Sequence, residues 1–210
     1  AQIKAKFKCK NYRASSRVGK KINEGNWMVR GLMWFRSDLR IDDNPALLEA
    51  ANSCDELIGV YIFSQKQWNL HHESNVKQDF LIQNLFTLEK QLKKLNIPLV
   101  VLQNDTFKAL PEDLQKFIDI HQIKSCHWNN EFGVNENKRD DAVEILLRTN
   151  SIQMSRHHDQ VIYEPGFLRT GQDKPFSVFT PFKRRWIENF SISFLDLDKA
   201  EKSLKKTSLT

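Results

Sequence analysis

From residue 28 onward, short apolar runs alternate with longer stretches in which apolar positions recur every three or four residues. The first pattern is that of strands buried on both faces, the second that of amphipathic helices. Strands are predicted over 29–36, 56–63, 98–102, 124–129 and 152–156, and helices over 46–53, 74–95, 112–121, 135–149 and 180–189. Asn44 before Pro45 is a helix start, because Asn caps free N–H groups and Pro suits the first helical position. Ser74 is placed to cap the long helix in the same way. There Val76, Phe80, Asn84, Leu88, Leu92 and Leu95 define the expected core stripe, broadened by Leu81 and Leu85, with Asn84 its polar member. Residues 64–73, carrying Trp68, His71 and His72, read as a loop. Thr180 as cap and Pro181 in the first turn open the last helix.

Strands separated by helices imply parallel pairing through right-handed crossovers, hence an α/β fold with a doubly wound sheet. Two strand orders are common for such sheets, and both bind ligands at the carboxyl edge of the strands. At that edge the run Leu32-Met33-Trp34-Phe35-Arg36-Ser37-Asp38-Leu39-Arg40 passes from buried strand to alternating charges. Arg36, Asp38 and Arg40 are therefore candidates for a ligand edge, or for surface ion pairs at an ordinary strand end. The chain has only seven glycines, and no Gly-x-Gly-x-x-Gly loop follows the first strand, which argues against a dinucleotide or Walker-type phosphate site.

The net charge of +6 changes meaning once it is divided along the chain. Residues 1–27 carry eight Lys or Arg against Glu24 alone, +7, whereas the rest carries 24 basic against 25 acidic residues, −1. The body thus gives no electrostatic sign of a nucleic-acid surface. The extension over 1–27 lacks periodic apolar residues and is expected to be disordered or to lie upstream of a natural start at Met28; an organellar transit peptide is the alternative. Cys9, Cys54 and Cys126 are scattered and form no Cys-x-x-Cys pair, which suits a reducing, cytoplasmic setting and suggests no metal site. No apolar run is long enough to span a membrane.

Four stretches resemble one family, the DNA photolyases and cryptochromes. They are Trp34-Phe35-Arg36-Ser37-Asp38-Leu39-Arg40 with Asp43-Asn44; Gln67-Trp68-Asn69-Leu70-His71; Trp128 to Asp140 with Val134-Asn135-Glu136 and Arg139-Asp140; and Val178-Phe179-Thr180-Pro181-Phe182 with Trp186. They occur in the family's order and cover about residues 28–190, most like folate-type bacterial cyclobutane pyrimidine dimer photolyases. One departure is Ser37, where a Gln or similar residue often stands.

The resemblance implies a Rossmann-like, three-layer α/β/α domain whose five-stranded parallel sheet has the order 3-2-1-4-5. The crevice is then expected between Arg36–Asp38 and residues 129–136. It implies the light-harvesting antenna domain of a deoxyribodipyrimidine photo-lyase, with Asn135, Glu136 and His71 toward a methenyltetrahydrofolate antenna. Read from the residues alone, Asn135 equally caps the helix and Glu136 complements its positive end. The resemblance also implies that FAD, the lesion pocket and contacts to damaged DNA belong to a carboxy-terminal helical domain, toward which residues 191–210 form a linker. On that expectation the chain alone carries no catalytic residues and repairs nothing, and it is a monomer. Trp34 is expected in the core, and Trp68, Trp128 and Trp186 near the domain edge. A cryptochrome signalling protein, or a stand-alone nucleotide-binding domain of similar architecture, is the alternative; an internally bound deazaflavin is the alternative antenna.

Overall fold

The computed structural model describes residues 28–104 and 106–191; the extension over 1–27 and residues 192–210 lie outside the described residues. Five parallel strands, β1 (Arg30–Phe35), β2 (Glu56–Ser64), β3 (Leu99–Asn104), β4 (Ser125–Asn129) and β5 (Gln153–His157), form one sheet in the order β3-β2-β1-β4-β5. Between and after them lie α1 (Pro45–Ser53), α2 (Gln65–Leu70), α3 (Asn75–Lys94), α4 (Leu110–His121), α5 (Val134–Thr149) and α6 (Phe179–Asn189). The fold class and strand order expected above are those observed.

Alternation along the strands divides the core into two layers. Met33 and Phe35 of β1, with Leu57, Tyr61 and Phe63 of β2, pack against Ala46, Leu47 and Ala50 of α1 and Ile82, Leu85, Leu88 and Leu92 of α3. The intervening residues Leu32, Trp34, Ile58 and Val60 pack against Leu114 and Phe117 of α4 and Val143 and Leu147 of α5. Both faces of the sheet are thereby covered, which is why its strands read as nearly continuous apolar runs.

Asn44 caps α1 as expected, accepting from Leu47 N at 3.1 Å, and Ser74 caps α3, accepting from Lys77 N at 3.3 Å. Other expectations are corrected. Residues 64–73 are not all loop: α2 forms there, held by Trp68 packing edge-on against Phe63 with ring centroids 4.5 Å apart. A helix this short gives no readable period, and tertiary contact supplies its stability. The stripe on α3 is wrong in its first turns, where Val76 is 79% and Phe80 70% exposed. Burial begins at Ile82, because equal four-residue steps drift around a helix of 3.6 residues per turn. Asn84 turns back to its own helix and donates to Phe80 O at 2.8 Å. Asn135 and Thr180 cap nothing: α5 starts from Gly133 and α6 from Val178, which puts each of them inside the first turn. The Glu136 carboxylate folds back over Gly133 and would have to swing aside for a Cβ there. Trp128 is fully buried, 6.0 Å from Trp34 centroid to centroid, and does not lie at the domain edge.

His127 on β4 lies beneath α1, with Nε2 3.2 Å from Ser125 Oγ and 3.8 Å from Cys54 Sγ, while its Nδ1 has no partner. Burial, helped by nearby His157, pushes the imidazole down to about 4. The unfolded chain therefore binds this proton first as the solution is acidified. The stabilisation is complete above the ordinary value near 6.5 and is lost between there and about pH 4. A difference of this size amounts to about 3 kcal/mol. Urea unfolding across that window is expected to show the loss in the wild type and a flatter profile in His127→Gln.

Candidate functional site

The sheet's carboxyl edge is organised by charges that leave β1 in three directions. Asp38 turns inward: its Oδ1 accepts from Arg36 N at 2.8 Å and its Oδ2 from Asn129 Nδ2 at 2.6 Å. Asn129 also donates to Asn44 Oδ1 at 2.8 Å and accepts from Ala46 N at 3.2 Å. This buried web ties the ends of β1 and β4 to the start of α1. Arg40 leaves the other way and pairs with Asp159. The three residues do not form one ligand edge, and Arg36 and Asp38 are not surface ion pairs either.

Arg36 enters a second cluster. Its Nη1 donates to Asp140 at 3.0 Å, and its guanidinium lies 4.7 Å from the centroid of Trp34. Arg139 donates to Asp140 at 2.7 Å and Glu131 at 2.8 Å, packing 4.9 Å from the Trp34 ring and 5.0 Å from Phe107. Ser37 Oγ donates to the other oxygen of Glu131 at 2.6 Å. Burial alone raises the Glu131 carboxyl, but the Arg36 charge, the Ser37 hydroxyl and Arg139 outweigh it and hold it below the usual carboxylate range. Burial lowers Arg36 from its ordinary value against the pull of Asp140, whereas in Arg139 the two carboxylates win and raise it.

Beside this cluster opens a cavity of about 220 Å³. Tyr61, Ile62, Trp68, Leu81 and Phe107 give it apolar and aromatic walls. Its deep polar members are Arg36, Ser64 and Arg139, and its outer members include Glu73, Lys77 and Glu136. Sites for drug-sized ligands run about 300–1,000 Å³, so this volume suits a ring system rather than a whole cofactor. The cavity spans the ends of β1 and β2 and is closed by α2 and α3. Arg36 and Ser37 face Glu131 and Glu136 across it, as expected of the crevice between β1 and the segment after β4, while Asp38 and Asn129 are tied up in the buried web and do not line it.

Of the three residues singled out beforehand, Glu136 lines the cavity, half-buried in the first turn of α5. Asn135 is its exposed neighbour, and His71 ends α2, also exposed, with Nε2 2.7 Å from Gln67 Nε2; neither lines the cavity. Tyr61, Ser64, Lys77, Phe107 and Glu131 were not foreseen. Tyr61 and Ser64 had a usable signal, since they end the strand next to β1; Phe107 and Lys77 had none.

Charge pairing leaves one lining group over. Arg36 pairs with Asp140, Arg139 with Asp140 and Glu131, and Lys77 with Glu73 at 2.7 Å. Glu136 alone among the charged lining residues has no ion pair among the described residues. Deeper in, Ser64 Oγ is buried without a hydrogen-bond partner. A flat heteroaromatic head with N–H donors matches these walls and this free acceptor.

Residues 31–203 match the family model described as DNA photolyase. The chain is 36% identical over 162 residues to the deoxyribodipyrimidine photo-lyase of Vibrio cholerae, covering 76% of this chain and 34% of that one. It thus spans about a third of the length of the curated relatives it matches. The crystal structure of a bacterial class III photolyase from Agrobacterium tumefaciens superposes with a TM-score of 0.70 at 26% identity, over 90% of this chain and 38% of that one. An archaeal photolyase from Sulfolobus tokodaii, solved with two FAD molecules, shares the fold with a TM-score of 0.58 at 22% identity, over 68% of this chain and 32% of that one.

Asp140 is fully buried between two guanidinium groups. Asp140→Asn is expected to cost about 3–5 kcal/mol in urea unfolding, as for a broken buried ion pair. Lys77→Gln, which breaks the exposed pair with Glu73, should cost under about 1 kcal/mol. Equal effects would place Asp140 outside the framework of the site.

Proposed function

The chain belongs to the DNA photolyase family, and we propose that it is the light-harvesting α/β domain of a deoxyribodipyrimidine photo-lyase that repairs cyclobutane pyrimidine dimers. The observation that carries this reading is the unpaired carboxylate of Glu136 on an aromatic-walled cavity at the carboxyl edge of β1 and β2. A methenyltetrahydrofolate antenna, when bound, absorbs light and passes the excitation on to a reduced flavin. In this chain Glu136 accepts a pair of N–H donors from the pterin head, while Asn135 and His71, exposed on either side, meet the parts of the cofactor outside the cavity. Tyr61, Trp68 and Phe107 offer flat apolar surface to the ring and exclude water. Arg36, Arg139 and Lys77 are neutralised by their own carboxylates, so no free cation is offered to a phosphorylated nucleotide. That balance favours a neutral, donor-bearing head over a flavin nucleotide.

The reading places FAD, the dimer and the DNA contacts in a helical domain beyond this chain. Repair and the return of the electron belong to that domain, and the present residues collect light and dock to it. The −1 charge of the body agrees with a domain that leaves DNA binding to another part.

Folate titration followed by absorbance in the antenna band is the test. Binding to the 210-residue chain should be weak, because the cavity takes only the ring head and leaves the rest of the cofactor outside it. In a full-length version, Glu136→Ala should lose about 1.5–3 kcal/mol, the worth of hydrogen bonds to a charged group, or about ten- to a hundredfold in affinity. Repair driven by direct excitation of the flavin should persist in the variant. Equal folate affinity in both proteins would reduce Glu136 to a helix-end charge, and binding of a deazaflavin in place of folate would replace the assignment.

A further inference from the structure

Two lining residues hold polar atoms that the fold leaves unsatisfied. Ser64 is 3% exposed and stands at the position preceding α2, where a serine ordinarily caps the helix. Its hydroxyl caps nothing and has no hydrogen-bond partner. Arg36, 7% exposed, uses Nη1 on Asp140 and keeps Nε and Nη2 buried without partners. Buried polar atoms are nearly always satisfied, and each exception costs stability, about 1–3 kcal/mol for a neutral group. Both residues line the same cavity. Of the other deep lining residues, Ile62 and Phe107 present alkyl and ring surface, and both Glu131 oxygens are committed to Ser37 and Arg139.

Resting on the reading that this cavity receives the head of the antenna chromophore, we infer that Ser64 is a second anchor for it, donating from the deep end to a hydrogen-bond-accepting edge of the ring, a carbonyl or ring nitrogen. Arg36 adds N–H donors at the same end. The cavity then has polarity along its depth, with donors inside and the Glu136 acceptor outside. A ring with acceptors on one edge and donors on the other enters in one orientation only, and specificity follows from buried groups that are unpaired without it.

The test compares wild type, Ser64→Ala and Ser64→Thr as the 210-residue chain. Each is titrated with methenyltetrahydrofolate and, separately, with lumichrome, a flat flavin head that carries no sugar or phosphate. The melting temperature of each ligand-free protein is also measured. Ser64→Ala should bind the probe that wild type binds about five- to thirtyfold more weakly, since a buried acceptor on the ligand loses its donor. Ser64→Thr keeps the hydroxyl and should restore most of the affinity. Without ligand, Ser64→Ala should melt no lower than wild type, and up to about 2–4 °C higher, because an unpaired buried hydroxyl has been removed. Opposite signs for stability and affinity distinguish a ligand contact from a structural serine. Unchanged affinity in Ser64→Ala, or a lower melting temperature without ligand, overturns the inference. If wild type binds lumichrome and not folate, and Ser64→Ala still weakens it, the folate reading fails and the anchor stands. If wild type binds neither probe, the cavity is not a chromophore site and the inference fails with it.

Discussion

The buried carboxylate of Asp140 is the point on which the carboxyl edge of this sheet depends. It is fully inaccessible and holds Arg36 of the segment after β1 and Arg139 of its own helix. A lone carboxylate at that depth is too costly to keep charged, and so are two lone guanidinium groups. Each is tolerable only because the other two are there. The triad therefore fixes where α5 begins relative to β1. Glu136 is four residues before Asp140, one turn nearer the helix start, and inherits its place on the cavity from that register. Glu131 and Ser37 extend the same network to the cavity wall. What looks like a charged site is largely a framework whose charges cancel.

The sequence was readable where one physical rule decides the outcome. Burial on both faces makes β1 to β4 apolar runs, and Asn44-Pro45 and Ser74 mark helix starts because capping is local. The reading failed where distant contacts decide. Trp68 stabilises α2 through Phe63, and no local pattern over 64–73 announces it. Val76 and Phe80 are apolar yet exposed, because α3 meets the sheet only from Ile82 onward. Asn135 looks like a cap by residue type, but the helix starts from Gly133 and Asn135 falls inside its first turn. The site shows the same division. Arg36, Asp38 and Glu136 were legible as a group from motif and position. Their separation into an Asp38–Asn129 web, an Asp140 triad and a cavity was not, since each partner lies 91 to 104 residues away in sequence.

Topology places the cavity at an edge that both common doubly wound orders use, beside the reversal point between β1 and β4. There the Asp38, Asn44 and Asn129 side chains satisfy one another and close the gap. The open space lies next to that web, between the ends of β1 and β2 and the segment carrying Glu131 and Glu136, and α2 and α3 close it. A strand end flanked by a short helix offers room without cutting into the core. The core itself pays nothing for the cavity, since Trp34 and Trp128 fill the space below with a tilted ring pair.

Recognition in such a cavity rests on direction more than on net charge. Arg36, Arg139 and Lys77 face ligand space, but Asp140, Glu131 and Glu73 already neutralise them. An anionic ligand would have to compete with carboxylates held at 2.7 to 3.0 Å. On the proposed reading a neutral ring would compete with nothing, since the groups the fold leaves idle are an acceptor at Glu136, a hydroxyl at Ser64 and two guanidinium nitrogens of Arg36. The buried hydroxyl and guanidinium nitrogens cost the free protein stability, and a ligand acceptor would remove that cost. Ser37 contributes to the same balance. Its hydroxyl reaches Glu131 at 2.6 Å and keeps that carboxylate turned to the framework, so the cavity retains one free carboxylate instead of two.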